Sequence, residues 1–409
     1  MRARSVIVAG GGAAGFFAAI TAAEAGADVE LLEKGPHFLS KVRISGGGRC
    51  NVTHACFDGR EFATRYPRGE RELIGSFQRF QADDTVAWFR ARGVVLKTEV
   101  DGRMFPTTDS SQTIIDCLVG AAERAGVRLR ASCGLESATR RPEGGFALTL
   151  MNGEAIECER LVLATGGCRA PALGQLAEAL GHALAPPVPS LFTFQIETPW
   201  LRSLAGVSME DVEVSVPEAG LKERGPLLVT HWGLSGPAIL RMSAWGARKL
   251  HAAQYKFRLR VNWLPGLKAG LLESELQSRR QGQGAKLVVN APVSPLTARL
   301  WEQLAFAAGL GRETRWASLP RTAQQQLVEQ LTRSEFVVTG KSLNKDEFVT
   351  CGGVRLGEID FRTMESRICP GLYIAGELLD IDGITGGFNF QAAWTTGWIA
   401  GNALVGHPR

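Results

Sequence analysis

Ser5 to Ala9 reads as a short buried strand that runs into Gly10, Gly12 and Gly15, and these open the alanine-rich helical stretch Phe16 to Ala25, closed by Gly26. The pattern is G-x-G-x-x-G. A second strand, Val29 to Leu32, delivers Glu33, eighteen residues beyond the last glycine. A strand, a glycine turn, a helix and an acid after the next strand make a complete βαβ opening. Its physical logic is anion binding, because exposed backbone N–H groups and the positive end of a helix dipole stabilise two phosphates. Gly10 permits the tight turn, Gly12 lets the backbone approach a pyrophosphate, and Gly15 lets the helix lie close to the strand. The Glu33 carboxylate can accept hydrogen bonds from both ribose hydroxyls of an adenosine, and it disfavours a 2′-phosphate. The unit predicts a dinucleotide and leaves FAD and NAD both open.

Later segments favour FAD. The apolar run Leu161 to Ala164 leads into Thr165-Gly166-Gly167 and resembles the second signature of two-dinucleotide-domain flavoproteins. Gly371 to Glu377, which includes Gly376, resembles their C-terminal strand reaching the ribityl chain, with Glu377 where many relatives have Asp. Gly386-Gly387-Phe388-Asn389-Phe390-Gln391 precedes a predicted helix, Ala392 to Ala403, whose free N–H groups can face the pyrimidine carbonyls of a flavin. The string Ser45 to Thr53 combines consecutive glycines, a fixed cation and small polar side chains, which suits close wrapping of a planar cofactor. There Arg49 can pair with the pyrophosphate, and Cys50 and Asn51 can lie near the ring. Two readings stand for Cys50, a buried inert thiol or a proton donor. The same two stand for His231 in Thr230 to Pro237, a structural residue or an acid.

The 409 residues exceed what one core usually organises. Pro36 to Thr53 reads as a loop, Thr85 to Arg92 and Gln112 to Ala125 as helices, and Gly102 to Pro106 as a turn. Val127 to Ala164 reads as a small antiparallel meander. Pro186, Pro187 and Pro189 mark a break. Beyond it come strand-type segments at Phe192 to Ile196, Val212 to Val216, Leu227 to Thr230 and Lys256 to Val261, with helical ones at Ser235 to Leu250, Leu267 to Arg280, Pro295 to Ala308 and Thr322 to Thr332. From Asn344 to Val354 the chain turns β-type again. The first part (1–188) and the last (345–409) therefore read as one α/β domain interrupted by an α+β insertion, 189–344.

Composition, at 45% apolar and 21% charged, is that of a globular protein without an apolar run of membrane-spanning length. The N-terminus lacks a signal-peptide core, so a cytoplasmic location and no membrane partner are expected. Eight cysteines without CxxC or metal-ligand spacing fit a reducing compartment and no metal site. The insertion carries 19 Lys and Arg against 12 Asp and Glu, an excess compatible with a polyanionic partner.

SGGGRCNVTH at Ser45 to His54, GRMFP at Gly102 to Pro106, THWGLSGPAIL at Thr230 to Leu240, VTCGGV at Val349 to Val354 and GLYIAGELLDIDGITGGFNFQAAWTTG at Gly371 to Gly397 resemble the YhiN/BaiN/RdsA-type flavoproteins from end to end. The resemblance implies a Rossmann-like FAD-binding domain assembled from both chain ends, with an inserted domain that is β-barrel-like over 189–263 and helical over 264–344. It also implies cofactor contacts at Ala13, Ala14, Lys34 and Leu135.

Members of that family are assigned different substrates: a uridine of large-subunit ribosomal RNA reduced to dihydrouridine, a conjugated double bond in bile-acid intermediates, and a small amino ketone. Three functions follow. In the first, a uridine of 23S ribosomal RNA is reduced, Cys50 or His231 supplies the proton, and Arg258, Arg260, Arg279, Arg280, Arg312 and Arg315 offer phosphate contacts. The second is a reductase or amine oxidase of a small metabolite in a closed pocket. The third is a non-catalytic redox sensor. With no second glycine fingerprint, NADPH or NADH would dock only transiently as reductant.

Overall fold

The computed structural model describes residues 5–168, 171–342 and 349–406, the side chains of 171–173 excepted. Asn344, where the insertion is expected to end, lies outside them. The chain divides into two compact units, residues 1–190 with 345–409, and residues 191–344.

The first unit is built on a seven-stranded sheet in the order Ile359–Asp360, Glu365–Ser366, Leu372–Ile374, Arg160–Leu163, Ser5–Ala9, Asp28–Leu32, Arg128–Arg130. Leu372–Ile374 and the four strands after it run parallel, with Val8 opposite both Val162 and Leu31. Ser5–Ala9 lies at the centre and is covered on both faces, which is why it reads as a continuous apolar run rather than an alternation. The helix Ala13–Glu24 follows Gly12, and the C-terminal helix Phe388–Leu404 packs along it. Both helices are apolar around most of their circumference because both are buried.

Four local expectations are corrected. Ser40–Gly48 is helical rather than loop, broken at Ser45, Gly46 and Gly47, where the dihedrals leave the helical region. The turn at Gly102 (φ +85°) is followed by a strand, Arg103–Pro106, paired with Thr53–His54 and Leu96–Thr98. The run from Val127 to Ala164 divides: Leu135–Arg140, Phe146–Leu150 and Ala155–Cys158 form an antiparallel meander, while Arg128–Arg130 and Arg160–Leu163 join the parallel sheet. Alternating burial along Phe146–Leu150 against continuous burial of Leu161 to Leu163 separates the two kinds. The prolines read as a break lie inside a strand, Leu184–Ser190, paired with Val349–Val354 and bulged between Ala185 and Val188. A bulge on a two-stranded ribbon tolerates the missing N–H groups.

The second unit is a closed antiparallel barrel in the order Thr193–Ile196, Gly233–Ser235, Leu221–Thr230, Ser208–Val216, Phe257–Asn262, Ser334–Ser342. Its interior (Phe194, Val214, Val229, Leu259, Val338) shares one core with the helices Ala269–Gly282, Ala298–Ala307 and Arg321–Arg333. The stretch expected to be helical through to 344 ends in that last strand. Residues 334 to 339 alternate buried and exposed, the period of a strand, and close the barrel against Thr193–Ile196.

Gly397 tests the helix pair. A Cβ there would lie 2.4 Å from the Ala14 carbonyl oxygen. Helix propensity alone favours Gly397→Ala by about 1 kcal/mol, whereas overpacking costs about 1–3 kcal/mol. The variant is expected to unfold at lower urea concentration; an equal or higher midpoint would show that the helices separate freely.

Candidate dinucleotide and flavin site

At the first turn, Gly10 has φ +116°, and a Cβ on it would lie 2.3 Å from the Ala164 carbonyl oxygen. A Cβ on Gly15 would lie 1.9 Å from the Gly10 oxygen, so helix and strand meet backbone to backbone. Gly12 differs, since nothing lies within 4 Å of its Cβ position. Gly12 is also the N-cap of Ala13–Glu24, with no side-chain cap and no acid in the first turn, so the N–H groups near Ala13 and Ala14 favour an anion. Glu33 faces this turn. Its Oε2 accepts from the Gly11 N–H at 2.8 Å and its Oε1 from the Gly35 N–H at 2.7 Å. An ionised carboxylate has about four acceptor sites, so two bonds fix it and others stay available. Lys34 is exposed, its stem beside Gly134, and Leu135 opens the meander next to it.

A second group forms where three segments meet. Glu377 Oε1 accepts from the Thr350 N–H at 2.9 Å, and its Oε2 pairs with Lys41. A Cβ on Gly167 would lie 2.4 Å from Thr350 Oγ1 and 2.7 Å from Glu377 Oε1. Gly376 (φ +73°) donates its N–H to Thr396 Oγ1 at 3.0 Å, and Gly166 (φ +80°) borders open space. Among the described residues the hydroxyls of Thr165 and Thr350 are buried without a hydrogen-bond partner. Each such group costs about 1–3 kcal/mol unless something satisfies it. Two orphan hydroxyls, a fixed carboxylate and a lysine fit the polyol and phosphates of FAD.

The glycine-rich string and the C-terminal helix are joined by their polar side chains. Asn51 bridges them, its amide nitrogen donating to the Thr53 carbonyl and its oxygen accepting from the Gly387 N–H, both at 3.0 Å. Gly387 (φ +94°) presses on the Thr53 backbone. Gln391 is fully buried; its oxygen accepts from Thr53 Oγ1 (2.7 Å) and Thr85 Oγ1 (2.9 Å), and its nitrogen donates to Thr395 Oγ1 (3.1 Å). Asn389 makes two bonds to the Gly383 backbone, and Phe388 stacks on His54. These three residues belong to the first turn of a helix that starts at Phe388, not at Ala392. Their side chains build the scaffold, and the first-turn N–H groups are what the helix can offer a ligand.

Arg49 is engaged inside the protein. It donates to Glu99 at 2.6 Å, lies 3.5 Å from Asp109 and covers the Phe105 ring, so its expected pyrophosphate pairing is made with carboxylates instead. Cys50 (φ +62°) is fully buried, and burial pushes its thiol up to about 12 against a smaller lowering by Ser45. A thiol that holds its proton so tightly fits the inert reading. His231 is exposed and belongs to the second unit. Lys41 and Thr350 escape sequence reasoning because their partner, Glu377, is brought to them only by the fold. The same holds for Asp382, fully buried, paired with Arg68 and accepting from Ser190 Oγ at 2.7 Å. Burial pushes its carboxyl up to about 6.

Residues 4–403 match the family model described as HI0933-like protein Rossmann domain. The chain belongs to this family. It is 33% identical to the ribosomal RNA dihydrouridine synthase of Escherichia coli K12, over 98% of this chain and 97% of that one. It is 28% identical to a 3-dehydro-bile acid delta(4,6)-reductase of Clostridium scindens, over 98% and 99%. Among solved structures, a 3-ketosteroid-delta4-(5alpha)-dehydrogenase of Rhodococcus jostii shares the fold, with a TM-score of 0.53 at 16% identity over 99% of this chain and 97% of that one. Membership makes the chain an FAD-dependent oxidoreductase. Among the described residues no acidic, His or Cys cluster is arranged for a metal, and no helix is long and apolar enough to cross a membrane.

Two outcomes follow. Glu33→Ala removes a charged acceptor, a loss of about 2 kcal/mol or roughly thirtyfold in affinity, so flavin absorbance should fall away on gel filtration; stoichiometric flavin in the variant would contradict the assignment. In the native protein at pH 8, Cys50 should resist iodoacetamide and become labelled only in denaturant, read by peptide mass spectrometry. Equal labelling in both states would show an activated thiol.

Proposed function

We propose that the protein reduces a uridine of 23S ribosomal RNA to dihydrouridine. The observation that carries this reading is the 33% identity to the Escherichia coli ribosomal RNA dihydrouridine synthase along nearly the whole of both chains. A relative of the same name in Haemophilus influenzae, 27% identical over 96% of each chain, supports it.

Bound FAD in its reduced form supplies a hydride equivalent to a carbon–carbon double bond conjugated with a carbonyl. Glu33 holds the adenosine ribose, and Thr165, Thr350, Lys41 and Glu377 hold the polyol and phosphates. The first-turn N–H groups of Phe388–Leu404 favour negative charge on the reduced ring. The double bond takes up one hydride and one proton. Cys50, fully buried and holding its proton tightly, is a poor source of that proton. NADPH or NADH, docking transiently, would serve as the reductant.

Of the six arginines expected to touch phosphate, Arg260 pairs with Glu335, Arg279 with Glu275, Arg315 donates to the Ala285 carbonyl and Arg312 lies over Phe306. Arg258 and Arg280 have no carboxylate partner among the described residues and are the better candidates. A second reading, reduction of a small conjugated ketone, draws on the 28% identity to the bile-acid reductase.

Mass analysis of ribosomal RNA from a deletion strain separates the two. The dihydrouridine reading requires loss of one dihydrouridine, restored by the wild type and not by Glu33→Ala. An unchanged modification profile sinks it and leaves the small-molecule reading.

A further inference from the structure

The hairpin at His231-Trp232 belongs to the second unit. Thr230 pairs with Gly233, so His231 and Trp232 form a two-residue loop between Leu221–Thr230 and Gly233–Ser235. The loop backbone is held from three sides. Thr230 Oγ1 accepts from the N–H groups of Trp232 (3.3 Å) and Gly233 (3.2 Å), and the Trp232 carbonyl accepts from the Ile196 N–H at 2.9 Å. Gly233, at φ +147°, is pressed against Phe194, where a Cβ would lie 2.3 Å from the carbonyl oxygen. On this fixed backbone the indole of Trp232 is 60% exposed. A large aromatic held out on a rigid turn carries little ordering cost on binding.

Two cations bond the segment from Ile196 to Ser203, whose first residue holds the hairpin. Arg202 Nε donates to the Ile196 carbonyl at 3.2 Å, one peptide group from the bond to Trp232, and Arg299 Nη2 donates to the neighbouring Ser203 carbonyl at 2.7 Å. Both are exposed, and among the described residues neither has a carboxylate partner. The nearest acids in sequence are Glu197, exposed and five residues before Arg202, and Glu302, three residues after Arg299 on the same helix. Each guanidinium keeps N–H groups free. An exposed aromatic face with guanidinium groups on the segment that holds it suits unpaired nucleotides, with the base stacked on the ring and phosphates on the cations.

We propose that Trp232 is a stacking platform for an unpaired base of the RNA, with Arg202 and Arg299 holding the adjoining phosphates. The proposal rests on the ribosomal RNA reading above and adds to it residues of the second unit that grip the strand.

The test uses the flavin-loaded full chain and unmodified 23S ribosomal RNA transcribed in vitro, with affinity measured across a series of salt concentrations. Trp232→Ala should weaken binding roughly tenfold without changing the salt dependence, and Trp232→Phe should recover most of that loss. Arg202→Gln with Arg299→Gln should instead reduce the slope of log affinity against log salt by between about 1 and 2. Flavin content should stay at the wild-type level in all three. Trp232→Ala binding like the wild type, or Phe recovering nothing, overturns the platform while the dihydrouridine reading stands on the deletion strain. Unchanged binding of free RNA with weakened binding of ribosomal proteins makes the hairpin a protein-docking face, which also overturns it. If the wild type binds no RNA and the deletion strain keeps its dihydrouridine, the function reading fails first.

Discussion

The backbone contact between Gly15 and the Gly10 carbonyl is the constraint on which the first unit depends. A side chain at either position would push the opening helix off the central strand, since the space available is 1.9 Å for one Cβ and 2.3 Å for the other. With the helix seated, Ala164 and Thr165 fall beside the turn, and Gly397 and Gly401 can bring the C-terminal helix onto the Ala14 and Ala18 carbonyls. One close approach thereby sets three segments drawn from both ends of the chain. The open space at Gly12 is the complement of the crowding at Gly10, Gly11 and Gly15.

Around that centre the polar side chains sort by whether the protein satisfies them. Gln391, Asn389 and Asn51 have partners on each polar end and rigidify the junction between the glycine-rich string and the C-terminal helix. The buried Asp382, held by Arg68 and Ser190, does the same for the loop that leads to Gly387. The hydroxyls of Thr165 and Thr350 lack partners among the described residues, and Glu377 and Glu33 hold acceptor capacity beyond the bonds they make. In a buried setting an unsatisfied hydroxyl is costly, so the satisfied residues read as frame and the unsatisfied ones as the surface that meets the cofactor.

The βαβ opening was legible because a backbone demand, φ above zero or contact closer than a Cβ allows, can be met only by glycine and so is written in residue type. Ser334–Ser342 carries a clear period of two, yet it follows three helices without a turn signal and was absorbed into them. Arg49 was assigned to phosphate because its string looks ligand-facing, but Glu99 and Asp109 lie far along the chain and reach it only through the strand Arg103–Pro106 and its neighbours. Lys41 and Thr350 were missed for the converse reason. Their significance lies in meeting Glu377, and no local pattern records a meeting between three distant segments.

The same distinction bears on how the second unit is read. Its surplus of cations, counted along the chain, suggests a broad electrostatic footprint, but a salt-bridged arginine such as Arg260 presents little net field to a phosphate, and Arg279 is held by Glu275 and two backbone carbonyls. Cations without a carboxylate partner among the described residues include Lys256, Arg258, Lys268, Arg280 and Lys286, with Arg202 and Arg299 in the same unit as the exposed indole of Trp232. Stacking and phosphate contact make different demands, because duplex affinity grows with the number of neutralised phosphates while stacking needs only one splayed base. A reaction at the face of a pyrimidine makes the same demand, since a base must leave its stack before a double bond within its ring can be reduced.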